Sequence, residues 1–450
     1  MRASDIAGAV MARRSTAREM AEQALARIAA AHDLNAVVTT DPARTRAEAD
    51  AVDARVAAGE AMPLAGVPIV VKDNIWVEGW RITQGSRLFA DFIAPEDAIA
   101  IARLRRAGAV IVGIGATSEF ACKGVTTSRL FGPTVHPQDR QLTPGGSSGG
   151  PAVAVAAGLV PLAIGTDAGG SSRRPPAHVG VVGFKPSFGA IAYGPGFPEP
   201  FWRISVIAPI AADVGDARLA FEIMAGADPR DPDTFDVAAA DHATPLRVAF
   251  SPRLGLDVAV DGDISAGLRR AVDRLRAGGM PIVDKDPVWP AGLAEDAVMP
   301  LQHAGLAALY GDAFHNDPAQ FDPDIAKQIE RGLGLSGADV ARALEASAQI
   351  ARAFASFFTQ ADVLLAPTVP CVAWPFTQLG PSEIGGKPPS PRAHAVFTPY
   401  ANHAGVPAIS IPCGANVHGL PFGLQLIAAR GHDRLLLDVA ADAERILAQS

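Results

Sequence analysis

Two glycine-serine clusters and one lysine are the groups in this sequence best suited to chemistry. The first cluster, GGSSGG from Gly145 to Gly150, precedes the apolar run AVAVAAG. The second, GTDAGGS from Gly165 to Ser171, follows LVPLAI. Small residues ahead of a helix form a tight turn and leave backbone N–H groups pointing out of its N-terminus. Ser147 and Ser171 are 24 positions apart, enough for one helix, one strand and a return to the same sheet edge, so they can meet. Either cluster alone reads equally as a plain loop or a phosphate cradle. GxxxxGK[ST] and GxGxxG are absent here, which weakens the phosphate reading. Lys72 ends the apolar run VPIVV. A lysine in that position either snorkels to solvent or loses its charge, and an uncharged lysine is a usable base.

The elements that must hold these groups follow from periodicity. Thr16 and Glu19 form a capping box ahead of Met20, Ala24, Leu25 and Ile28 at helical spacing, and a polar helix is expected from about Pro42 to Ala58. PLAGVPIVVKDN reads as a buried strand bounded by Gly and Pro. From Asp97 helix and strand alternate, AIAIARLRRAGA then VIVGIGA, the rhythm of a parallel or mixed sheet. Further strands are expected at Pro245 to Phe250, Gly279 to Val283, 363–370, 408–414 and 422–429, with a closing amphipathic helix. The stretch 284–360 reads as mostly helical and poor in chemically suggestive groups. With no repeat or low-complexity linker, the expectation is an α/β protein. It has a single large α/β/α domain over 1–450, with a central mixed β-sheet covered by helices on both faces. Its core lies at 63–215 and 361–450, with a helical insertion at about 284–360.

Composition excludes several classes of function. An apolar share of 49% with 19% charged residues is that of a compact globular chain. Lys and Arg number 39 against 47 Asp and Glu, a net charge of −8 with the signs interspersed, so no nucleic-acid-binding surface is announced. Arg13-Arg14 and Arg105-Arg106 read as solvated helix faces. Three distant cysteines, Cys122, Cys371 and Cys413, fit neither a zinc site nor a disulfide framework. The N-terminus lacks a signal-peptide h-region and no apolar stretch is long enough for a bilayer, so a cytoplasmic protein without membrane contact is expected. No metal, nucleotide or flavin cofactor has sequence support. Homodimers are the commonest assembly for an enzyme of this size.

Four separated motifs occur in order: GVPIVVKDN, PGGSSGG, GTDxGGSxR and GFKP. Together with ATSEF at 116–120, VLLAPTVP, NHAGVPAISIPCG and LPFGLQLIAARGHD, they resemble the amidase signature family over nearly the whole chain. The resemblance implies an amidohydrolase with Ser171 as acylated nucleophile, Ser147 as bridging serine after a cis peptide at Gly146, and Lys72 as neutral base. Backbone N–H groups of Ala168, Gly169, Gly170 and Ser171 would then form the oxyanion hole. Ser148 and Asp167 match the family pattern as orienting groups and equally fit caps or turns. Thr166 reads as structural. Ala121 and Cys122 fall where the family's pocket wall would be, and a lone Cys is equally a small core residue.

The extra arginine in Ser171-Ser172-Arg173-Arg174 is a clue to substrate. Arg173 sits where the family carries an arginine that holds the site together. Arg174 resembles a carboxylate clamp of family members acting on small anionic amides such as malonamate, the task a guanidinium fork suits. A structural ion pair is the other reading of Arg174. Pro151, His178, Ser205 and Ala208 depart from the family pattern and bear on pocket shape. Two enzymatic alternatives stand beside the small-amide reading: an allophanate- or carboxybiuret-type hydrolase, and the amidase subunit of a tRNA-dependent amidotransferase with a partner protein. A non-catalytic protein of the same fold is a third.

Overall fold

The computed structural model describes residues 2–239, 245–293 and 296–449. The thirteen strands among them are β1 (Val37–Thr39), β2 (Pro68–Lys72), β3 (Val110–Gly115), β4 (Thr127–Ser128), β5 (Gly132–Pro133), β6 (Leu162–Asp167), β7 (Val182–Lys185), β8 (Val206–Ala211), β9 (Val248–Phe250), β10 (Ile282–Asp284), β11 (Val363–Pro367), β12 (Ala408–Ala415) and β13 (Pro421–Ala428). β4 and β5 pair only with each other; the other eleven join one sheet in the order β1-β3-β2-β6-β8-β7-β12-β13-β11-β9-β10.

The sheet is mixed. β2 lies parallel between β3 and β6, whereas β8, β7, β12, β13 and β11 follow as antiparallel neighbours before β9 and β10 return to parallel pairing. Every residue of β2, β3, β6 and β8 is buried, as expected of strands covered on both faces. Adjacent residues of one strand point to opposite faces, so their neighbours show what covers each face. On β7, a side chain at Gly183 would collide with the backbone of Ser172 and the ring of Pro176, while Phe184 meets Phe221 of the helix Val214–Met224 edge-on at 5.2 Å. On β13, the ring of Phe422 fills the space beside Gly267 in the helix Gly262–Ala277, while Gly423 leaves room for Ala177. Helices therefore cover both faces.

The capping box at Thr16 opens a helix over Ala17–Ala30, and Asp41 caps the helix Pro42–Ala57. The strand expected from Pro245 is only three residues long, and the one expected from Gly279 begins at Ile282, because β9 and β10 pair with each other over just those three positions. Between β10 and β11 lie the helices Met299–Asn316, Pro323–Leu333 and Gly337–Phe357. The first two build a second small core, in which Tyr310 stacks on Phe120 at 4.0 Å beside Phe321, Ile325 and Ile329, while the third packs Ile350, Phe354 and Phe357 into the main core. A buried ion pair of Lys123 with Asp322, and Glu119 accepting the Asp322 N–H at 2.7 Å, fasten this helical layer to the 119–123 turn. No helix among the described residues is long and apolar enough to cross a membrane.

Candidate active site

β2 and β6 are parallel neighbours, with Val71 opposite Ile164, so their C-terminal ends leave the sheet side by side. That is where open α/β sheets place their ligands. Lys72 ends β2 and Thr166-Asp167 end β6. Between them in the chain, the turn 145–148 leads into the helix Gly149–Ala156, and the peptide from Gly146 to Ser147 is cis. Ser147 Oγ lies 2.9 Å from Lys72 Nζ and 3.0 Å from Ser171 Oγ, so the three side chains form one continuous hydrogen-bonded chain. Lys72 and Ser147 are fully buried and Ser171 nearly so. Burial, only partly offset by the charge of Asp167, pulls the Lys72 ammonium down to about 7.

The loop carrying Ser171 is held from beneath. Asp167 is buried; its Oδ1 accepts the Gly170 N–H at 2.7 Å and its Oδ2 the Ser172 N–H at 3.1 Å. Arg173, fully buried, makes a two-pronged contact to the same carboxylate at 3.0 Å from both Nε and Nη2. Burial alone would raise the Asp167 pKa, but the Arg173 charge and hydrogen bonds win and hold it well below the usual carboxylate range. The remaining Arg173 donors reach Thr398 O at 3.0 Å, Gln425 Oε1 at 2.6 Å and Asn402 Oδ1 at 2.6 Å. Ser148 and Ser172 each donate to Thr166 O, at 3.1 and 3.0 Å. Only glycine at 165 leaves room for those two hydroxyls.

Of the four amides expected to face a substrate, the structure turns one away. The Gly170 N–H is taken by Asp167, leaving those of Ala168, Gly169 and Ser171 without a hydrogen bond among the described residues. Gly170 has φ +110°, and a side chain there would strike Thr398 Oγ1 and come within 2.9 Å of Arg174 Nε.

Thr166, read from sequence as structural, is in direct contact with Lys72: its Oγ1 accepts from Lys72 Nζ at 2.8 Å and from Asn74 Nδ2 at 3.0 Å. The sequence signal that could have found it is its place at the C-terminal end of a buried strand, the same kind of position that Lys72 occupies. Thr166→Val keeps the shape and removes this acceptor. We expect kcat/KM to fall about tenfold, in line with one lost hydrogen bond to a charged or titrating group. The acid limb of the pH–rate profile should also move; an unchanged limb would leave Thr166 with only a packing role.

Ser171 opens onto a cavity of about 970 Å³, mouth included, in which Ala121, Cys122, Ala168, Gly169 and Arg174 take part. The helical stretch thought poor in function supplies much of its wall: Leu293, Val298, Met299, Leu301, Gln302 and Ile350 all face it. Arg392, Tyr400 and His403 also line it; the first two lie in no motif, and His403 falls within NHAGVPAISIPCG, a block that implied no role for it. Arg174 is 5% exposed and its Nε has no hydrogen-bond partner among the described residues, so it makes no structural ion pair with them through that atom. Burial first, and then the charge of Arg392, lowers its guanidinium to about 9. Of the departures from the family pattern, Pro151 packs beside Gly115, His178 lies edge-on to Trp374 at 5.4 Å, Ser205 donates to Tyr193 at 3.2 Å and Ala208 pairs with Gly165 in the sheet. None reaches the lysine–serine–serine chain. Among the described residues no group of His, Cys, Asp and Glu is arranged to hold a metal ion.

A large mixed sheet with this buried chain at its parallel ends defines a hydrolase acting on amide C–N bonds. The chain belongs to the Amidase family, whose model matches residues 19–437. It is 37% identical over 476 residues to one subunit of the glutamyl-tRNA(Gln) amidotransferase of Deinococcus radiodurans, covering 99% of this chain and 97% of the relative. Among solved structures, a bacterial aryl acylamidase of the amidase signature family superposes with a TM-score of 0.91 at 26% identity, over 100% of this chain and 97% of that one. A protein described in connection with the origins of an s-triazine catabolic enzyme gives 0.87 at 31% identity, over 100% and 98%.

Proposed function

We propose that the protein hydrolyses a small amide carrying a carboxylate, malonamate-like in charge, through an acyl-Ser171 intermediate. The observation that carries this reading is Arg174: a buried guanidinium in the same cavity as Ser171, with an Nε unpartnered among the described residues. Neutral Lys72 takes the Ser147 proton as Ser147 takes that of Ser171, and Ser171 Oγ attacks the amide carbon. Negative charge gathers on the carbonyl oxygen, where the amides of Ala168, Gly169 and Ser171 are placed to receive it. The relay then runs backward: the proton passes to the leaving nitrogen, ammonia or amine departs, and water repeats the sequence to release the acid. Asp167 and Ser148 act at one remove, holding the loops that carry the two serines. A cytoplasmic location is in keeping with this reading.

The test is an ammonia-release assay on malonamate, succinamate and propionamide. The carboxylated amides should be preferred, and Arg174→Ala should lower kcat/KM for them by roughly 10- to 100-fold, the worth of a charged hydrogen bond. Propionamide should be nearly unaffected. Equal effects on all three amides would remove Arg174 from substrate recognition. Allophanate, also a small anion, belongs in the same screen.

The amidotransferase relatives favour a second reading, in which the chain releases ammonia from glutamine for a partner protein. Glutamine brings an ammonium group that wants a carboxylate, and no Asp or Glu is among the described residues facing the cavity. Glutaminase activity together with co-purification of a second polypeptide would favour that reading over the first.

A further inference from the structure

The cavity beside Ser171 has two dissimilar ends. At one, Arg174 lies by Thr398: a side chain at Gly170, just before the nucleophile, would meet both Thr398 Oγ1 and Arg174 Nε. The other end runs along the turn that carries Ser147. Thr126 donates to Gly145 O at 2.9 Å and accepts the Gly149 N–H at 2.9 Å, and a side chain at Gly146 would strike the Val125 backbone. Ala121 and Cys122, just before these residues in the chain, therefore enter the cavity on the side of the proton relay. Burial pushes the Cys122 thiol up and the ammonium of Lys72 is among the charges that pull it back, so the two lie near each other. The first turn of the helix Met299–Asn316 closes over this side: Gln302 donates to Cys122 O at 3.4 Å, and Met299 and Leu301 face the cavity. The loop before β8 is fixed to the same turn, because the Trp202 indole N–H donates to Leu301 O and Gly305 leaves no room for a side chain beside Pro200. From that loop Phe201 reaches the cavity. Phe201, Ala121 and Cys122 belong to the second small core, so this end of the cavity continues its apolar packing.

An amide carbon carries three groups, and the site gives each a direction. Its oxygen goes to the amides of Ala168, Gly169 and Ser171. The acyl chain goes with its carboxylate to Arg174. The nitrogen must face the relay through Ser147, which protonates it as it leaves. Any group on that nitrogen then meets Met299, Leu301 and Phe201. A hydrogen there leaves the apolar surface in contact with water, whereas an alkyl group covers it, at about fourfold in affinity for each methylene buried.

We infer that Met299, Leu301 and Phe201 form a leaving-group subsite, and that the amides selected are secondary ones whose nitrogen carries an apolar alkyl chain. This rests on the proposed function above, whose carboxylate fixes the direction of the acyl chain, and narrows its substrate class. The bond broken is the same C–N bond. The nitrogen takes the relayed proton and departs as a primary alkylamine, and water then releases the dicarboxylic acid from acyl-Ser171.

The experiment measures binding in the full-length Ser171→Ala protein, where no turnover intervenes. The probes are butyramide, succinamate, N-butylsuccinamate and the isomer of the last with its butyl group on the acyl chain instead. Succinamate should bind better than butyramide, and N-butylsuccinamate better than succinamate by roughly 10- to 100-fold. The acyl-chain isomer, equally apolar, should bind more weakly than N-butylsuccinamate. Met299→Gln keeps the length of the side chain and makes it polar, so the ratio of N-butylsuccinamate to succinamate affinity should fall by about threefold or more. A ratio, unlike a single affinity, is not moved by partial loss of folded protein. If N-butylsuccinamate gains nothing over succinamate, if the acyl-chain isomer binds as tightly, or if Met299→Gln leaves the ratio unmoved, the inference fails while the proposed function stands. If succinamate binds no better than butyramide, both fail. Should Met299→Gln not fold, the comparison of the two butyl isomers decides alone.

Discussion

Ser171→Ala is expected to abolish turnover of every amide and ester, with kcat falling on the order of 10⁵-fold or more, as for nucleophile removal in other serine hydrolases. Lys72→Ala should come close behind, because a serine reached only through another serine has no second base within hydrogen-bond distance. The pH dependence supplies the sharper check. Lys72 must be neutral to accept a proton and its ammonium is pulled down to about 7 by burial, so kcat/KM should rise with pH through about 7 and level off above it. The same shift works on stability with the opposite sense from an ion pair. The unfolded chain binds the lysine proton up to its ordinary value of 10.5, so this group's contribution to stability grows between about 7 and that value. Lys72→Met should therefore be inactive yet at least as stable as the parent near pH 7. A Lys72→Met protein that retained the acid limb would show that some other group titrates.

Arg173→Ala is expected to unfold or nearly unfold the protein, at a cost of about 3–5 kcal/mol, the range for removing one partner of a buried ion pair. Asp167 would be left as a buried carboxylate with only amide donors. Its stabilising effect is present at neutral pH and lost in acid, because its pKa is held below the usual range in the folded state. Without Arg173 that protection shrinks, so acid unfolding should begin at higher pH. Asp167→Asn, which discards the charge and puts an NH2 donor where one of the two backbone N–H groups is received, should lose activity because the Ser171 loop shifts. Equilibrium denaturation across pH 3–8 measures both effects. Unaltered acid unfolding of Arg173→Ala would mean that Asn402 and the loop amides suffice to hold the carboxylate.

Much of this arrangement was legible from the residues. Lys72, Ser147 and Ser171 sit in short motifs whose glycines and apolar flanks fix turn and strand locally; spacing allowed the two serines to meet, and the resemblance to the amidase signature family implied that Lys72 joins them. The buried strands β2, β3 and β6 were plain for the same reason, being apolar runs bounded by Gly and Pro. What escaped was set by long-range contact. Thr166 looked structural because nothing in its neighbourhood shows that a lysine on the adjacent strand ends 2.8 Å away. Arg392, Tyr400 and His403 reach the cavity through packing of a loop and two short helices that have no periodicity of their own. The 284–360 stretch looked inert because aliphatic side chains that line a cavity and those that fill a core are the same residues. Gly170 shows the converse, an amide expected to face substrate that a carboxylate three residues earlier draws inward.

The fork of Arg173 has one more implication. Its outer donors are received by Thr398, Asn402 and Gln425, all at least 225 positions further on, while the lysine and both serines are translated before Arg173 itself. A nascent polypeptide still missing that stretch already contains every reacting group, yet leaves the loop that presents Ser171 untethered. Hydrolytic competence therefore requires the stretch 398–425 to have been made, so products truncated before it should be inert rather than indiscriminately reactive.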